Sequence, residues 1–142
     1  MTDVQPTDLL GRWILQRRLT DRRAGVIGRV TGTLELSRVG DDQVRWFEQG
    51  ELAWDGRTLE VHRELFVRRE PDQWMVYFND GRPFHPWLPG KTVEHPCVAD
   101  LYRGYLDVDR DRARLRVLWD VAGPAKDQRI ISRCRRATDS GA

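Results

Sequence analysis

The sequence has little of what marks secreted or membrane-spanning proteins. Its two cysteines, Cys97 and Cys134, are too few for a disulfide framework. The N-terminus lacks the basic and then apolar segments of a signal peptide. No apolar run approaches the roughly 20 residues that a membrane-spanning helix needs. We therefore expect a soluble, cytoplasmic protein with reduced cysteines and no membrane partner.

Lysine is scarce as well. Only Lys91 and Lys126 accompany 22 arginines among the 24 basic residues, and the net charge is +2. The excess of arginine has two explanations: the codon bias of a GC-rich genome, or the use of planar guanidinium groups to bind phosphate or carboxylate. Nucleic-acid binding needs basic residues gathered on one face. Because acidic and basic residues alternate along the chain, as at 109–116, we predict no nucleic-acid partner.

Helical periodicity of useful length is also absent, whereas alternation of apolar and polar residues recurs throughout. In the first such segment, Trp13 and Leu15 share a face with Arg17. The pair Asp55-Gly56 is the strongest hairpin signal in the chain. The alternation predicts strands near 13–19, 26–39, 43–48, 52–54, 58–69, 73–79, 98–108, 113–121 and 128–135.

About eight or nine strands joined mainly by hairpins predict an all-β fold, an antiparallel up-and-down β-barrel. The length fits one domain, 1–142, with frayed ends at 1–8 and 137–142. Gly28 and Gly32 lie four apart in one strand, where they favour the curl that a barrel needs. An immunoglobulin-like sandwich is disfavoured because it needs several long connections. A barrel of about eight strands leaves room for side chains or one small ligand.

The stretch 78–102 interrupts the strand pattern. It holds two of the three histidines, one cysteine and four of the seven prolines. A loop of this length in a compact domain usually has a function. We expect it to cover the mouth of the barrel, with Trp87 as a lid or a wall of the ligand site. Lys126, in a later connection, is either an ordinary turn residue or a second group at that mouth.

Asp80 and Arg82 flank Gly81 in this stretch. Either they only make a turn, or Arg82 clamps an anion while Asp80 orients its guanidinium group. Asp100 and Tyr102 are two apart and share a face of the following strand. If that face is the inner one, the phenol of Tyr102 is available to a ligand.

His85, His95 and Cys97 form a possible three-ligand zinc set with an open fourth position. Their spacing is not an established zinc signature. In the alternative, His95 bonds to the backbone and Cys97 is a small buried hydrophobe. We predict no metal and no cofactor. The complete ligand-binding set predicted from the sequence is Asp80, Arg82, Phe84, His85, Trp87, His95, Cys97, Asp100, Tyr102 and Lys126.

Two resemblances support the barrel. The Gly11-x-Trp13 motif at the head of the first strand, with Arg133 or Arg135 in the last, resembles the lipocalin or calycin arrangement, in which that arginine packs on that tryptophan. Most of the chain also resembles an uncharacterised, mostly bacterial domain-of-unknown-function family that is thought to be lipocalin-like. The shared residues are Gly11, Trp13, Arg17, F-x-D-G-R-x-F-H at 78–85, H-x-C-x-x-D-x-Y at 95–102 and G-P-x-K-D at 123–127. This resemblance implies a lipocalin-like fold and brings no established activity, and the local motifs of haem-binding nitrobindin-type barrels are lacking.

The leading functional hypothesis is a barrel that binds a small apolar ligand with an acidic or polar head, held by Arg82 and a histidine. The first alternative is an enzyme of lyase or isomerase type. It would use His85 or His95 as general acid or base, and Tyr102 or Arg82 to stabilise charge. The second alternative is an interaction module with an exposed apolar patch around Trp87 and Leu88, or with an unpaired edge strand.

Overall fold

One short 3-10 helix and ten strands make up residues 4–138, which are the residues that the computed structural model describes. The helix spans Pro6–Leu9. No helix in this part of the chain is long and apolar enough to cross a membrane. The strands are β1 (Gly11–Asp21), β2 (Val26–Arg38), β3 (Gln43–Trp54), β4 (Arg57–Arg69), β5 (Trp74–Phe78), β6 (Pro83–Pro86), β7 (Thr92–Cys97), β8 (Asp100–Val108), β9 (Arg114–Ala122) and β10 (Asp127–Arg136).

All ten strands belong to one antiparallel sheet in the order β6-β5-β4-β3-β2-β1-β10-β9-β8-β7. The two ends of the chain pair in the middle of this sheet, through β1 and β10. The sheet curls until its edge strands β6 and β7 lie close together. No hydrogen-bonded ladder joins these two edges within the described residues, so the barrel is nearly closed. We call the gap between Pro83–Pro86 and Thr92–Cys97 the seam.

The sheet has ten strands, not the eight or nine that the sequence predicts. The segments 43–48 and 52–54 form one continuous strand, β3. Gly50 of β3 lies opposite Gly32 of β2, and the two backbones approach so closely there that neither position has room for a Cβ atom. The glycines therefore let the sheet bend sharply without interrupting its hydrogen bonds.

The stretch 78–102 is not the irregular loop that the sequence predicts. It contains β6, β7 and the start of β8. Its prolines hide the pattern, because Pro83, Pro86 and Pro96 have no N–H to donate, and such residues are tolerated on the edge strands of a sheet. The prolines therefore fit the position of β6 and β7 at the two edges, which border the seam.

Trp13 is fully buried at one end of the barrel, where its Nε1 donates to the carbonyl oxygen of Leu9 at 3.0 Å. Its partner on β10 is Arg136. The guanidinium carbon of Arg136 lies 4.5 Å from the centre of the indole ring. The same guanidinium group donates to the carbonyl oxygens of Leu10 at 2.7 Å and Asp8 at 3.1 Å. Arg136 thus covers Trp13 and ties the two chain ends together.

The arginine that covers Trp13 is therefore neither Arg133 nor Arg135, and that prediction is wrong. Alternate residues of a strand point to opposite faces of the sheet. Arg136 lies opposite Trp13, whereas Arg133 and Arg135 are exposed on the outer face.

The chain is packed close to both ends. Of the predicted frayed ends, 1–8 and 137–142, the first three and the last four residues lie outside the described part of the chain. Val4 is buried. The backbone N–H of Ala137 donates to the carbonyl oxygen of Arg12 at 2.9 Å. The described residues of both ends therefore belong to the packed structure.

Alternate residues of the strands fill the barrel interior. Its buried polar side chains, among the residues that the structure describes, are Glu48 and Ser132. The largest fully buried side chains are Trp13, Leu9, Leu15, Leu34, Leu115, Val44, Val67, Val121 and Pro6. A buried carboxylate needs a partner, so the surroundings of Glu48 are a candidate functional site.

Candidate functional site

The barrel interior contains an apolar cavity of about 40 Å³ beside the seam. One water molecule needs roughly 10–15 Å³ of such volume, so the cavity holds about three water-sized groups. Its polar lining residues are Arg63, His85 and Lys91. The main apolar lining residues are Trp46, Leu65, Phe84, Trp87, Leu106 and Trp119.

Two guanidinium groups share one carboxylate next to this cavity. Nη2 of Arg17 donates to both carboxylate oxygens of Glu48 at 2.9 Å, and Nη2 of Arg63 donates to Oε2 at 3.1 Å. Nε1 of Trp46 donates to the same Oε2 at 2.9 Å. Nε of Arg17 donates to Oγ of Ser132 at 2.7 Å. This charge cluster, with two cations and one anion, has one positive charge in excess.

The carboxylate of Glu48 stays ionised at neutral pH. Burial raises its pKa, but the charges of Arg63 and Arg17 and the hydrogen bonds from Trp46 and Arg63 lower it more. The pKa of Glu48 therefore falls from 4.5 to about 2. The charge of the cluster is accordingly fixed at +1 over the whole neutral range.

Arg63 connects the charge cluster to the cavity. While its Nη2 is bonded to Glu48, its Nε is buried and has no hydrogen-bond partner within residues 4–138. The side chain also lines a second cavity, of about 50 Å³, together with Val61. A buried polar group without a hydrogen bond costs about 1–3 kcal/mol, and more if it is charged. Nε of Arg63 is thus a buried donor without a hydrogen bond in the described chain.

The ring of His85 is neutral. Its Nδ1 lies 2.8 Å from the carbonyl oxygen of Pro86. Because a carbonyl only accepts, Nδ1 carries the proton and Nε2 is an acceptor. Burial lowers the pKa of His85 from 6.5 to about 4, against the hydrogen bond to Pro86, which raises it; the charges of Arg63 and His95 lower it further. His85 therefore presents an uncharged acceptor at neutral pH.

Aromatic rings close the seam where no ladder does. Phe84 lies at their centre, with its ring stacked on Phe78 at 4.4 Å and on Trp119 at 5.0 Å between centroids. The ring of His95, from β7, meets that of Phe84 edge-on at 5.1 Å. A Cβ atom on Gly104 would lie 2.5 Å from the ring of Trp119, so glycine makes the room that this ring occupies. Phe84 and His95 thus meet across the seam.

Trp87 is part of the cavity wall. It is 7% exposed, and its Nε1 donates to the carbonyl oxygen of Val4 at 2.8 Å. Of the ten residues predicted as a ligand site, Phe84, His85 and Trp87 line the cavity.

Three other predicted residues meet outside the cavity. Nζ of Lys126 lies 3.3 Å from Oδ2 of Asp100 and 6.0 Å from the ring centre of Tyr102. A Cβ atom on Gly123 would overlap Oδ1 of Asp100, so this position needs glycine. The cluster ties the turn between β9 and β10 to the start of β8.

Asp80 and Arg82 form the predicted ion pair, but at the surface. Nε of Arg82 donates to Oδ2 of Asp80 at 2.7 Å, and the Arg82 side chain is 74% exposed. The pair lies in the turn between β5 and β6 and does not line the cavity. Cys97 is exposed as well. Within the described residues, no three His, Cys, Asp or Glu side chains are grouped so as to hold a metal ion.

The sequence prediction did not single out Glu48, Arg63 or Trp46 as site residues. A signal was present, since Glu48 follows Val44 and Trp46 at steps of two, on the apolar face of its strand. Arg17 and Arg63 likewise fall on the apolar faces of their own strands. Charged residues in the apolar phase point into a barrel, where they need partners of opposite charge.

Comparisons with known proteins give a family match. The model of a family of unknown function, DUF6314, matches residues 9–136. No curated protein matches the chain. The chain is similar to a de novo designed fluorescence-activating β-barrel at 18% identity and a TM-score of 0.48 over 96% of this chain and 100% of the other. It is also similar to a redesigned β-barrel, mFAP1, bound to DFHBI, at 14% identity and a TM-score of 0.46 over 92% and 97% of the two chains.

Proposed function

Because the chain belongs to the DUF6314 family, whose function is unknown, we propose a function from the side chains inside its barrel: it binds a small molecule with an apolar body and a single negative charge. The anionic head lies against Arg63, and the apolar body lies against the aromatic wall of the cavity. The barrel is calycin-like in this proposal, which the packing of Arg136 on Trp13 supports.

One observation carries the proposal: Arg63 lines an apolar cavity, and its buried Nε has no partner in the described chain. Guanidinium groups bind carboxylates through N–H donors of fixed direction. A monoanion at this position makes the missing hydrogen bond and also balances the extra charge that Arg17 and Arg63 leave around Glu48. A neutral ligand does only the first of these.

The cavity limits the size of the ligand. At about 40 Å³ it accommodates a few heavy atoms, as in a short-chain monocarboxylate. A larger ligand requires the stacked rings of Phe84 and Trp119 to separate. Phe84 lies on the edge strand β6, which has no ladder on its seam side within the described residues, whereas Trp119 lies on β9, which is paired on both sides.

The geometry favours binding over acid–base catalysis. A general base works best when its pKa lies near the operating pH. With a pKa of about 4, His85 is a weak base, and at neutral pH it is not in the imidazolium form that acts as a general acid. Its Nε2 instead accepts a hydrogen bond from a polar group of the ligand.

An interaction module is also less favoured. That hypothesis rests on an exposed apolar patch around Trp87 and Leu88, or on an unpaired edge strand. Trp87 is buried against Val4, and the edge strands β6 and β7 lie against each other at the seam. The large apolar residues that are exposed are spread over different strands and turns: Ile27, Val39, Leu59, Val98 and Tyr105. Single exposed apolar residues are normal on soluble proteins.

The proposal includes a cytoplasmic location. Cys97 is exposed and Cys134 is buried, and both are free. Exposed thiols are typical of a reducing compartment.

Thermal unfolding with linear monocarboxylates, from acetate to hexanoate, tests the proposal, and neutral amides of the same chain lengths are the matched ligands. A ligand that binds only the folded state raises the Tm. We expect the carboxylates to raise the Tm of the wild type more than the amides do, since an amide can accept the hydrogen bond from Arg63 but only a carboxylate also balances the charge of the cluster. Equal shifts with both series would contradict the proposal.

Two variants locate the binding. Arg63→Met removes the interior guanidinium group and leaves Arg17 to balance Glu48, whereas Arg82→Met removes the surface arginine that the sequence favours. We expect R63M to lose the carboxylate shift and R82M to keep it. If R63M does not fold, Arg63→Lys retains the charge but not Nε, and must weaken binding about tenfold, or 1.4 kcal/mol. Carboxylate binding by either Arg63 variant at wild-type strength would overturn the assignment.

A further inference from the structure

The outer face of β9 and β10 carries four exposed arginines, which we call the arginine patch: Arg114, Arg116, Arg133 and Arg135. The strand register places Arg116 opposite Arg133 and Arg114 opposite Arg135. Residues that face each other on neighbouring strands lie about 5 Å apart at Cβ, and alternate residues of one strand lie about 7 Å apart. The four side chains thus start from the corners of one small rectangle.

This arrangement is unfavourable for the protein alone, because like charges directly opposite each other destabilise a sheet. Some other outward arginines of this barrel face acidic residues instead, although Arg18 of β1 lies opposite Arg29 of β2 in the same unfavourable arrangement. Arg129 is paired with Asp120 at 2.9 Å, and Arg103 with Glu94 at 3.0 Å.

Within the arginine patch only Arg116 has an acidic partner in the described chain, which is Asp107 at 2.6 Å. The other three arginines have no carboxylate within ion-pairing distance among residues 4–138. The patch therefore gathers three arginines without an acidic partner on two adjacent strands.

The side chains of the patch surround a depression of about 480 Å³ on the outer surface. It lies far from the seam in the order of the sheet, against β1, and is distinct from the interior cavity. Gln16 of β1 adds an amide to its wall, and Asp109 lies at its edge. With Asp107 and Asp109 counted, the depression keeps an excess of two positive charges.

We propose that the arginine patch binds an oligophosphate, meaning two or more linked phosphates, either free or as part of a nucleotide. Guanidinium groups match phosphate oxygens in pairs of parallel hydrogen bonds, and several of them around one point suit an anion of high charge density. Such a ligand replaces the repulsion between the facing arginines by attraction.

The outline of the patch favours this compact ligand over an extended nucleic acid. Nucleic-acid binding needs a basic track that follows the backbone. Along β10 the patch is followed by Ile131 and then by Arg129, which Asp120 neutralises. On the β1 side its direct neighbours are Ile14 and Gln16, which are uncharged.

The sequence hides the patch. At 109–116 acidic and basic residues alternate, which argues against a basic cluster when only the sequence is considered. The strand begins at Arg114, however, so Arg114 and Arg116 fall on one face, and the acidic residues remain in the preceding turn. The cluster then arises from the register with β10.

Isothermal titration with inorganic triphosphate in low salt tests this proposal. The patch variant is Arg114→Gln/Arg133→Gln, and the control is Arg103→Gln/Arg129→Gln, which removes the same charge from arginines that have acidic partners. We expect the wild type and the control to bind alike and the patch variant to bind at least about tenfold more weakly, a loss of 1.4 kcal/mol. Circular dichroism verifies that both variants fold.

Further titrations distinguish the sources of the phosphates. Equal affinity for triphosphate and for a nucleoside triphosphate indicates that the phosphates alone are recognised, and tighter binding of the nucleotide indicates a base contact as well; both support the proposal. Absence of triphosphate binding overturns it, as does equal weakening in the two variants. Binding of a single-stranded oligonucleotide without triphosphate binding also overturns it, in favour of a nucleic-acid surface.

Discussion

Arg63 donates from Nη2 to Oε2 of Glu48 at 3.1 Å inside the barrel, while Nε of the same guanidinium group has no partner among residues 4–138. The carboxylate already accepts from Arg17 and Trp46. One carboxylate thus faces two cations, the mostly buried Arg17 and the partly exposed Arg63, and incomplete compensation of a partly buried charge is unfavourable. The proposed monoanion removes this cost.

We expect Glu48→Gln to weaken the fold and to reduce its sensitivity to acid. The pKa of Glu48 is about 2 in the folded protein, below its ordinary value of 4.5. A lowered carboxyl pKa stabilises the fold above pH 4.5, and this contribution is lost as the pH falls from 4.5 to about 2. Urea unfolding at a series of pH values measures both effects. At neutral pH we expect E48Q to lose about 3 kcal/mol, because the mostly buried Arg17 and the partly exposed Arg63 both lose their counter-ion.

Glu64→Gln is the control for this measurement. Glu64 is bound to Arg45 in a partly exposed pair, and such pairs contribute up to about 1 kcal/mol. E64Q should therefore keep the acid transition of the wild type. The same acid transition in E48Q would show that Glu48 is not its source.

His85 should add a second pH dependence at higher pH. Its pKa is about 4 in the folded protein, below the ordinary 6.5. Between these values the unfolded chain binds a proton that the folded protein does not, so stability falls as the pH drops from 6.5 to about 4. The loss reaches about 3 kcal/mol at the lower limit.

His85→Asn removes this dependence, and His62→Asn, at an exposed histidine, leaves it in place. Urea unfolding between pH 6.5 and 5 measures the pH dependence that His85 causes, because the contribution of Glu48 changes only below pH 4.5. A wild-type stability that stays constant over this interval would refute the prediction.

Arg136→Ala should destabilise the fold far more than Arg135→Ala. Arg136 loses a cation–π contact with Trp13, of about 0.5–2 kcal/mol, and its charged hydrogen bonds to backbone carbonyls, so we expect a total loss of about 2–4 kcal/mol. Arg135 is exposed, and its removal should change stability by about 0.5 kcal/mol or less. Thermal unfolding compares the two. A similar loss in both variants would mean that the cover on Trp13 contributes little.

The sequence predicts the fold where the signals are local. Asp55 and Gly56 have φ of 49° and 78°, the left-handed conformations of the tight hairpin turn expected there. The strands β6 and β7 were missed because prolines interrupt their alternation, and only pairing with β5 and β8 makes them strands. The choice of Arg136 over Arg135 depends on the register with β1, which strand periodicity alone does not determine.

In the candidate site, too, local features can be predicted from the sequence, whereas features that depend on strand pairing cannot. The Asp80–Arg82 ion pair is visible in the sequence because its members are two residues apart, but its place on the surface depends on where the barrel closes. The pairing of Glu48 with Arg17 and Arg63 joins three strands. This pairing depends on the registers of all the ladders from β1 to β4. The sequence shows only that each charged residue alternates in step with the apolar residues of its strand.

The pairing of β1 with β10 also determines when the barrel can form. Every other ladder in the described sheet joins strands that follow each other in the chain, so it can grow from local hairpins. The pairing of Trp13 with Arg136 closes a loop of nearly the whole chain, and its entropy cost is met only after the other strands have assembled. During synthesis, a nascent chain that still lacks β10 therefore has unpaired edges on β1 and β9 and an uncovered Trp13. Such unpaired edges and exposed apolar surface favour aggregation until the last strand has paired.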